Sequence, residues 1–275
     1  MKTFFKRFYL FFICFLLYAP ILTLMVLSFN SSKTRAKWGG FTLEWYQSLF
    51  ANEQIISALQ TTLLIAFLSA VFATLLGTAA AIGIHSMKKR SKTIWMGITN
   101  IPMLNSEIVT GISLMLLFLA LGTLLSKMTG KNISLFGFTT ILLAHITFNI
   151  PYVVLSVLPK LKQTNICTYE AALDLGASPL YAYGKVVLPD ILPGIFSGFL
   201  LSFTLSLDDF IITHFTKGAG IDTLSTKIYT EVKKGIKPEM YALSTLLFLS
   251  VLALLILINK APKKKRSNES IGGNS

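Results

Sequence analysis

The chain has 275 residues, of which 53% are hydrophobic, and its 25 basic and 12 acidic side chains give a net charge of +13. This apolar content is too high for an ordinary soluble domain of this size, so the sequence predicts an integral membrane protein. The basic residues lie in short clusters at the ends of apolar runs, which argues against a nucleic-acid-binding face.

The first apolar run covers residues 8–29 and follows Lys2, Lys6 and Arg7. It predicts a membrane anchor, because it is longer than the apolar part of a signal peptide and no small-x-small cleavage site follows it. Residues 30–56 are more polar and include FTLEWYQSLF, whose aromatic side chains suit a membrane interface. Taken alone, those aromatic residues are also compatible with a plain interfacial loop.

Five further apolar runs are each close to the roughly 20 residues that a spanning helix needs. They lie at residues 61–84, 108–125, 138–158, 191–213 and 241–258. The sequence therefore predicts an all-α, multi-pass protein of the cell membrane with six transmembrane helices. An even number of spans puts both termini on one side, and the clusters of basic residues favour the cytoplasm for that side.

This pattern divides the chain into three regions. We expect an N-terminal anchor and external loop over 1–56, a membrane domain over 57–259, and a basic tail over 260–275. The tail is expected to lie near anionic lipid headgroups. Within the membrane domain, GTAAAIG at residues 77–83 and the pair Gly194 and Gly198 predict flat faces for close helix contact, either inside the subunit or at a dimer seam.

Three acids lie in or beside the predicted spans, where a carboxylate is costly unless it faces a polar surrounding. Glu107 is at the start of the third span, and Asp208 and Asp209 are near the outer end of the fifth. Neighbouring residues point about 100° apart on a helix, so at most one of the two aspartates needs to face a substrate pathway. The alternative is that they are interfacial or helix-packing acids.

The most informative stretch, residues 170–189, reads EAALDLGASPLYAYGKVVLP. Gly176 is placed to close a short helix over roughly 165–175, since glycine takes the left-handed conformation cheaply. Ser178 can cap a second helix, Pro179 fits its first turn, and Pro189 is expected to stop it. The pattern predicts two short helices joined by a tight turn. On the first helix, Ile166, Tyr169 and Leu173 are expected on one face, with Glu170 and Asp174 on another.

This spacing resembles the EAA loop of binding-protein-dependent ABC importer permeases, with Val186 where isoleucine is more usual. The alternative is a generic amphipathic hairpin. The resemblance implies a type I ABC importer permease fold in which residues 159–190, the coupling loop, lie in the cytoplasm and dock on an ATPase. The residues it assigns to ATPase coupling are Glu170, Ala171, Ala172, Gly176, Leu188 and Pro189.

The segment SFTLSLDDFIITHFTKG and the loop after it are similar to permeases of spermidine/putrescine importers, which have Ser-x-Asp-Asp at this place. The similarity extends over nearly the whole chain, although permeases for other small solutes share much of it. It implies polyamine import with a second permease, an ATPase dimer and an extracytoplasmic solute-binding protein. Asp208, Asp209 and Glu107 are then candidates for the substrate pathway.

Other chemistry is not indicated. The sequence has no Gly-x4-Gly-Lys-Ser/Thr phosphate loop, so we expect no ATPase activity in this chain, with ATP and Mg bound by the partner ATPase. His85, His145 and His214 lie in different segments without other ligands at metal-site spacing, so no metal site is expected. An ion-coupled secondary transporter is a weaker alternative, because no inverted repeat is visible. An intramembrane aspartyl protease would need its two acids on separate helices.

Overall fold

The computed structural model describes residues 2–32, 37–132, 134–235 and 237–260, with side chains described for all of these except 2–4, 166, 251 and 253–260. The described residues are almost entirely helical. The helices are α1 (Lys2–Leu27), α2 (Glu44–Ala51), α3 (Glu53–Ser86), α4 (Lys89–Leu104), α5 (Glu107–Thr129), α6 (Phe138–Gln163), α7 (Ile166–Asp174), α8 (Pro179–Ala182), α9 (Leu188–Asp208), α10 (Ile211–Thr216), α11 (Leu224–Lys234) and α12 (Pro238–Lys260). A π-helical turn, Tyr183–Val187, joins α8 to α9.

Several of these helices can cross a membrane. In the described part of the chain, five stretches are long and apolar enough: Phe5–Leu27, Glu53–Ser86, Glu107–Thr129, Phe138–Gln163 and Pro179–Asp208. The 23-residue α12 coincides with the sixth apolar run of the sequence. The predicted all-α membrane fold is confirmed, whereas the tail beyond Lys260 lies outside the described residues.

The chain forms two compact units, Met1–Asn52 with Glu231–Ser275 and Glu53–Thr230. In the first unit, α12 packs on α1 and α2. The turn after α1 is organised by Asn30, whose side-chain oxygen accepts the backbone N–H of Gly39 at 2.8 Å. The indole N–H of Trp45 donates to the carbonyl of Asn30 at 2.7 Å. Trp45 is therefore buried in this unit and is not part of a plain interfacial loop.

The core of the second unit is the contact between α3, α6 and α9. Gly77 on α3 lies against Val153 of α6, and a Cβ at this glycine would be 2.7 Å from the Cβ of Val153. On α9, a Cβ at Gly194 would be 2.9 Å from the carbonyl oxygen of Ser156, and one at Gly198 would be 3.3 Å from the Cα of Val153. Of the two alternatives for these small residues, the structure shows packing inside the chain.

The fifth span is not the continuous helix predicted over 191–213. Helix α9 ends at Asp208, Asp209 is extended with φ of −63° and ψ of 124°, and α10 starts at Ile211. The physical reason is local, because the Asp209 carboxylate accepts the backbone N–H groups of Ile212 and Thr213 and so competes with helix continuation. Helix α10 then packs on α5 and α6.

Candidate functional site

The first helix of the coupling loop has the predicted capping. The side-chain oxygen of Asn165 accepts the backbone N–H of Cys167 at 3.0 Å and starts α7. Gly176 ends the helix with φ of +88°, in the left-handed region that glycine enters without the steric cost of a Cβ. The backbone N–H of Ala177 then reaches back to the carbonyl of Ala172, as in a Schellman ending. The predicted glycine turn is confirmed.

The second helix starts as predicted and continues further. Ser178 accepts the backbone N–H of Tyr181, and Pro179 is in the first turn of α8. The prediction that Pro189 stops this helix is wrong, because α8 continues through the π-helical turn into α9. Pro189 falls in the first turn of α9, and the π-helical turn just before it changes the hydrogen-bond register, so its missing N–H does not break the helix.

The coupling loop combines an internal aromatic contact with an exposed outer surface. The rings of Tyr169 and Tyr183 meet edge to face with their centroids 6.0 Å apart, which holds α7 against the π-helical turn. Leu175 and Leu180 flank the glycine turn and are 89% and 88% exposed. The sequence interpretation did not single out these leucines. Their position beside an exposed turn was the available signal, because apolar side chains there have nothing in a short hairpin to cover them.

The six residues that the resemblance assigns to ATPase coupling lie at the surface of this loop. Ala172 is half-buried, and the exposed ones are Glu170, Ala171, Gly176, Leu188 and Pro189. The side chain of Ile166, predicted on the apolar face of α7, lies outside the described residues. The loop therefore presents an acidic and apolar surface that a protein partner can contact.

The three candidate pathway acids have different surroundings. Glu107 is exposed in the first turn of α5, after the N-cap Ser106, where the helix dipole favours a negative charge. Asp208 is exposed at the last residue of α9. The side chain of Asp209 is only 6% exposed. The structure therefore separates the adjacent aspartates into one exposed and one buried carboxylate, and it does not bring Glu107 into contact with either.

Asp209 is held by four groups of the same chain. Its carboxylate accepts the backbone N–H groups of Ile212 at 3.2 Å and Thr213 at 2.8 Å, and also the hydroxyl of Thr213 at 2.8 Å. The Nε2 atom of His145 on α6 lies 3.3 Å from the same carboxylate. Asp209 therefore caps the start of α10 and connects it to α6.

The sequence interpretation missed His145, which it grouped with two other scattered histidines. Its side chain is 2% exposed, and its Nε2 is also 2.9 Å from the hydroxyl oxygen of Thr213. The available signal was the spacing of His145 and Asn149, two polar residues four positions apart in an apolar span and hence on one face of the helix. Among the described residues, no three possible ligands are grouped as a metal site requires.

Asn149 extends the same polar face of α6. Its amide nitrogen donates to the hydroxyl of Ser206 on α9 at 2.8 Å, and that hydroxyl is 2.9 Å from the hydroxyl of Ser69 on α3. Asn149 and Ser69 are fully buried and Ser206 is 4% exposed. These hydrogen bonds join the three core helices next to the break in the fifth span.

An ion pair between a lysine and an aspartate lies in the loop after α10. The ammonium of Lys217 donates to the carboxylate of Asp222, which also accepts the hydroxyl of Thr226. Partial burial alone would raise the pKa of Asp222, but the hydrogen bond and the charge of Lys217 outweigh this effect and hold that pKa below its ordinary value. The pair therefore fixes this loop beside the start of α11.

Comparison with known proteins gives a consistent set of relatives. A family profile described as binding-protein-dependent transport system inner membrane component matches residues 73–262. The spermidine/putrescine transport system permease protein PotC of Escherichia coli (strain K12) is 40% identical over 88% of this chain and 87% of its own length. PotC of Haemophilus influenzae is 37% identical over 96% and 98%, and the putrescine permease PotI of E. coli (strain K12) is 39% identical over 84% and 81%.

Solved structures with a similar fold come from ABC transporters. A bacterial ABC transporter that imports alginate superposes with a TM-score of 0.73, at 20% identity, over 94% of this chain and 93% of the matched chain. The MetNI methionine ABC transporter gives a TM-score of 0.57 at 18% identity, over 74% of this chain and 92% of the matched chain. At these identities the similarity shows a shared fold.

Proposed function

Because this chain belongs to the family of binding-protein-dependent transport system inner membrane components, we propose that it is the permease subunit of a polyamine importer. The family and the apolar helices make it a multi-pass membrane protein of an ABC importer. The proposal of spermidine or putrescine as solute is supported by the names of the relatives, which are 37–40% identical over most of the chain.

The observation that carries the coupling role is the exposed surface of the coupling loop. On this surface Leu175 and Leu180 are almost fully exposed. They lie beside the left-handed turn at Gly176, and Glu170 is also exposed. Such a cluster of apolar side chains with a polar rim is typical of a protein interface. The partner in this proposal is an ATPase dimer, which binds ATP and Mg, while this chain supplies no nucleotide site.

We assign the coupling loop and both termini to the cytoplasm. The basic residues of the α3–α4 junction, Lys88, Lys89 and Arg90, and those near the end of α6 support this orientation. The test is to introduce Ser178→Cys in a background without Cys14 and Cys167 and to add an impermeant thiol reagent to intact cells. Labelling from outside would show that the orientation is reversed.

The remaining partners are a second permease, with which the pathway is shared, and an extracytoplasmic binding protein that delivers the solute. Asp208 and Glu107 are exposed carboxylates on this chain, and a cationic solute can offset the cost of a carboxylate near the membrane. A transient contact is sufficient, because strong binding in the pathway would slow release.

Transport in a reconstituted system tests the function. The chain is assembled in proteoliposomes with its second permease and ATPase, and ATP-dependent uptake of radiolabelled spermidine is measured with the binding protein present. We expect Asp208→Asn to reduce uptake and Glu170→Arg to reduce substrate-stimulated ATP hydrolysis, while both variants assemble in the membrane. Uptake of a neutral or anionic solute with no competition from polyamines would refute the substrate and leave an importer of another small solute.

A further inference from the structure

One face of α6 holds both sides of the break in the fifth span. Asn149 donates to Ser206, which is on α9 just before the break. One helical turn away on α6, His145 contacts Thr213 on α10 and the carboxylate of Asp209 at the break itself. The relative placement of α9 and α10 therefore depends on two buried side chains of a third helix.

The directions of these hydrogen bonds follow from the groups involved. An ionised Asp209 can only accept, so the hydroxyl of Thr213 donates its hydrogen to that carboxylate. The oxygen of Thr213 is then free to accept from His145, at 2.9 Å, and this requires a hydrogen on Nε2. His145 thus completes a chain of hydrogen bonds that ends on the buried carboxylate.

This arrangement leaves little room for a solute at Asp209. The side chains of His145 and Asp209 are 2% and 6% exposed, and backbone and hydroxyl donors of α10 already bond the carboxylate. Asp208 precedes it directly and is exposed. The two adjacent carboxylates therefore differ, because one is held by groups of this chain and the other is exposed.

The other end of α10 is also held in place. Changes in the angle between α9 and α10 therefore depend on the contacts at the start of α10. The hydroxyl of Thr140 donates to the carbonyl of Thr216 at 2.9 Å, which ties the end of α10 to the start of α6. A Cβ at Gly111 of α5 would be 2.8 Å from the ring of Phe215, which shows how closely α5 and α10 pack.

We propose that His145 and Asp209 are a buried pair of positioning residues. They fix the break between α9 and α10 and thereby hold Asp208 toward the passing cation, without contacting the solute themselves. This inference rests on the proposed polyamine transport and assigns different roles to the two adjacent aspartates. It also adds His145, which no resemblance assigned to a role.

Kinetics of the reconstituted importer test the pair. We expect His145→Leu and Asp209→Asn each to lower the maximal rate of spermidine uptake about tenfold or more, as expected when a hydrogen bond to a buried charge is lost. The concentration of loaded binding protein that gives half-maximal uptake should stay within about twofold, because no solute contact is removed. The double variant should be no slower than the slower single variant, since both changes break one unit.

Two variants separate positioning from general damage. His145→Gln keeps an N–H donor near the position of Nε2, so we expect it to retain most of the maximal rate. His214→Leu is the matched control, because His214 is exposed on α10, the short helix that the pair is proposed to position, and this variant should transport like the wild type. Three results would overturn the proposal. The losses from His145→Leu and Asp209→Asn could multiply in the double variant, or His145→Gln could be as slow as His145→Leu. The third is an equal loss of rate in His214→Leu.

A second measurement does not depend on transport. In a background without Cys14 and Cys167, the thiol introduced by Asp208→Cys is labelled with an impermeant maleimide in the assembled complex. We expect His145→Leu to change the labelling rate about tenfold and His145→Gln to leave it unchanged. An unchanged rate with His145→Leu refutes the positioning role. If the wild-type complex does not transport polyamines but the labelling behaves as expected, the solute assignment fails and the positioning of residue 208 stands.

Discussion

Two glycines on α3 offer a direct test of the helix packing in the core. An added Cβ at Gly77 would lie 2.7 Å from the Cβ of Val153 and 3.2 Å from the carbonyl oxygen of Ile150, whereas nothing lies within 4 Å of the same position at Gly83. Val153 cannot easily yield, because it is β-branched and its contacting atom is next to the backbone. We therefore expect Gly77→Ala to push α3 away from α6 and Gly83→Ala to be accommodated.

The magnitude comes from comparing the two variants. Alanine favours a helix over glycine by about 1 kcal/mol, and this gain is common to both positions, so it cancels in the comparison. Overpacking a close contact costs about 1–3 kcal/mol, and this cost falls on Gly77 alone. Gly77→Ala should therefore be less stable than Gly83→Ala by about 1–3 kcal/mol.

The assay is thermal unfolding of the purified complex in detergent, with both variants and the wild type measured side by side. Gly83→Ala should unfold at or above the wild-type temperature, and Gly77→Ala at or below it. If Gly77→Ala is as stable as Gly83→Ala, then α3 and α6 are not in the close contact described, and the reasoning on the small-residue face is refuted.

Three further predictions concern single positions outside this core contact. Gly176→Ala should destabilise the coupling loop by about 1 kcal/mol and Gly176→Asn by less, because asparagine tolerates positive φ better; substrate-stimulated ATP hydrolysis is the readout. Trp45→Phe should lower thermal stability by about 1–2 kcal/mol, since it leaves the Asn30 carbonyl without its indole donor. Lys217→Met should raise the pKa of Asp222. Because the folded-state pKa is depressed, its stabilising effect is present at neutral pH and is lost as the pH falls through that pKa, so wild type and variant should converge in thermal stability toward acid pH.

The sequence predicted what depends on short-range rules. The apolar runs indicated the spanning helices because length and composition decide membrane insertion. The left-handed turn at Gly176 and the cap at Ser178 followed from neighbouring residues and are present in the structure. Whether the coupling-loop residues contact an ATPase stays a prediction, since their assigned partner is another chain.

What the sequence did not predict depends on contacts between distant segments. His145 and Thr213 are 68 positions apart, so no local pattern joins them. The break at Asp209 was missed because apolar residues lie on both sides of the aspartate pair, and the hydrogen bonds from α10 to the Asp209 carboxylate are not visible in the sequence. Pro189 misled because the rule about proline in helix interiors assumes regular α-helical hydrogen bonds, and the π-helical turn just before this residue changes that register.

The continuity of α8, the π-helical turn and α9 has a mechanical consequence. Pro179–Asp208 is a 30-residue helical rod, about 45 Å long at 1.5 Å per residue. One end is part of the coupling loop and the other end is the break at Asp209. In the proposed importer, a tilt that the ATPase imposes on the coupling-loop end is transmitted along this continuous helical stretch to the end at Asp209. Deleting one residue from the π-helical turn would rotate α9 by about 100° relative to the coupling loop. The length of this turn therefore sets which face of α9 points toward the neighbouring helices.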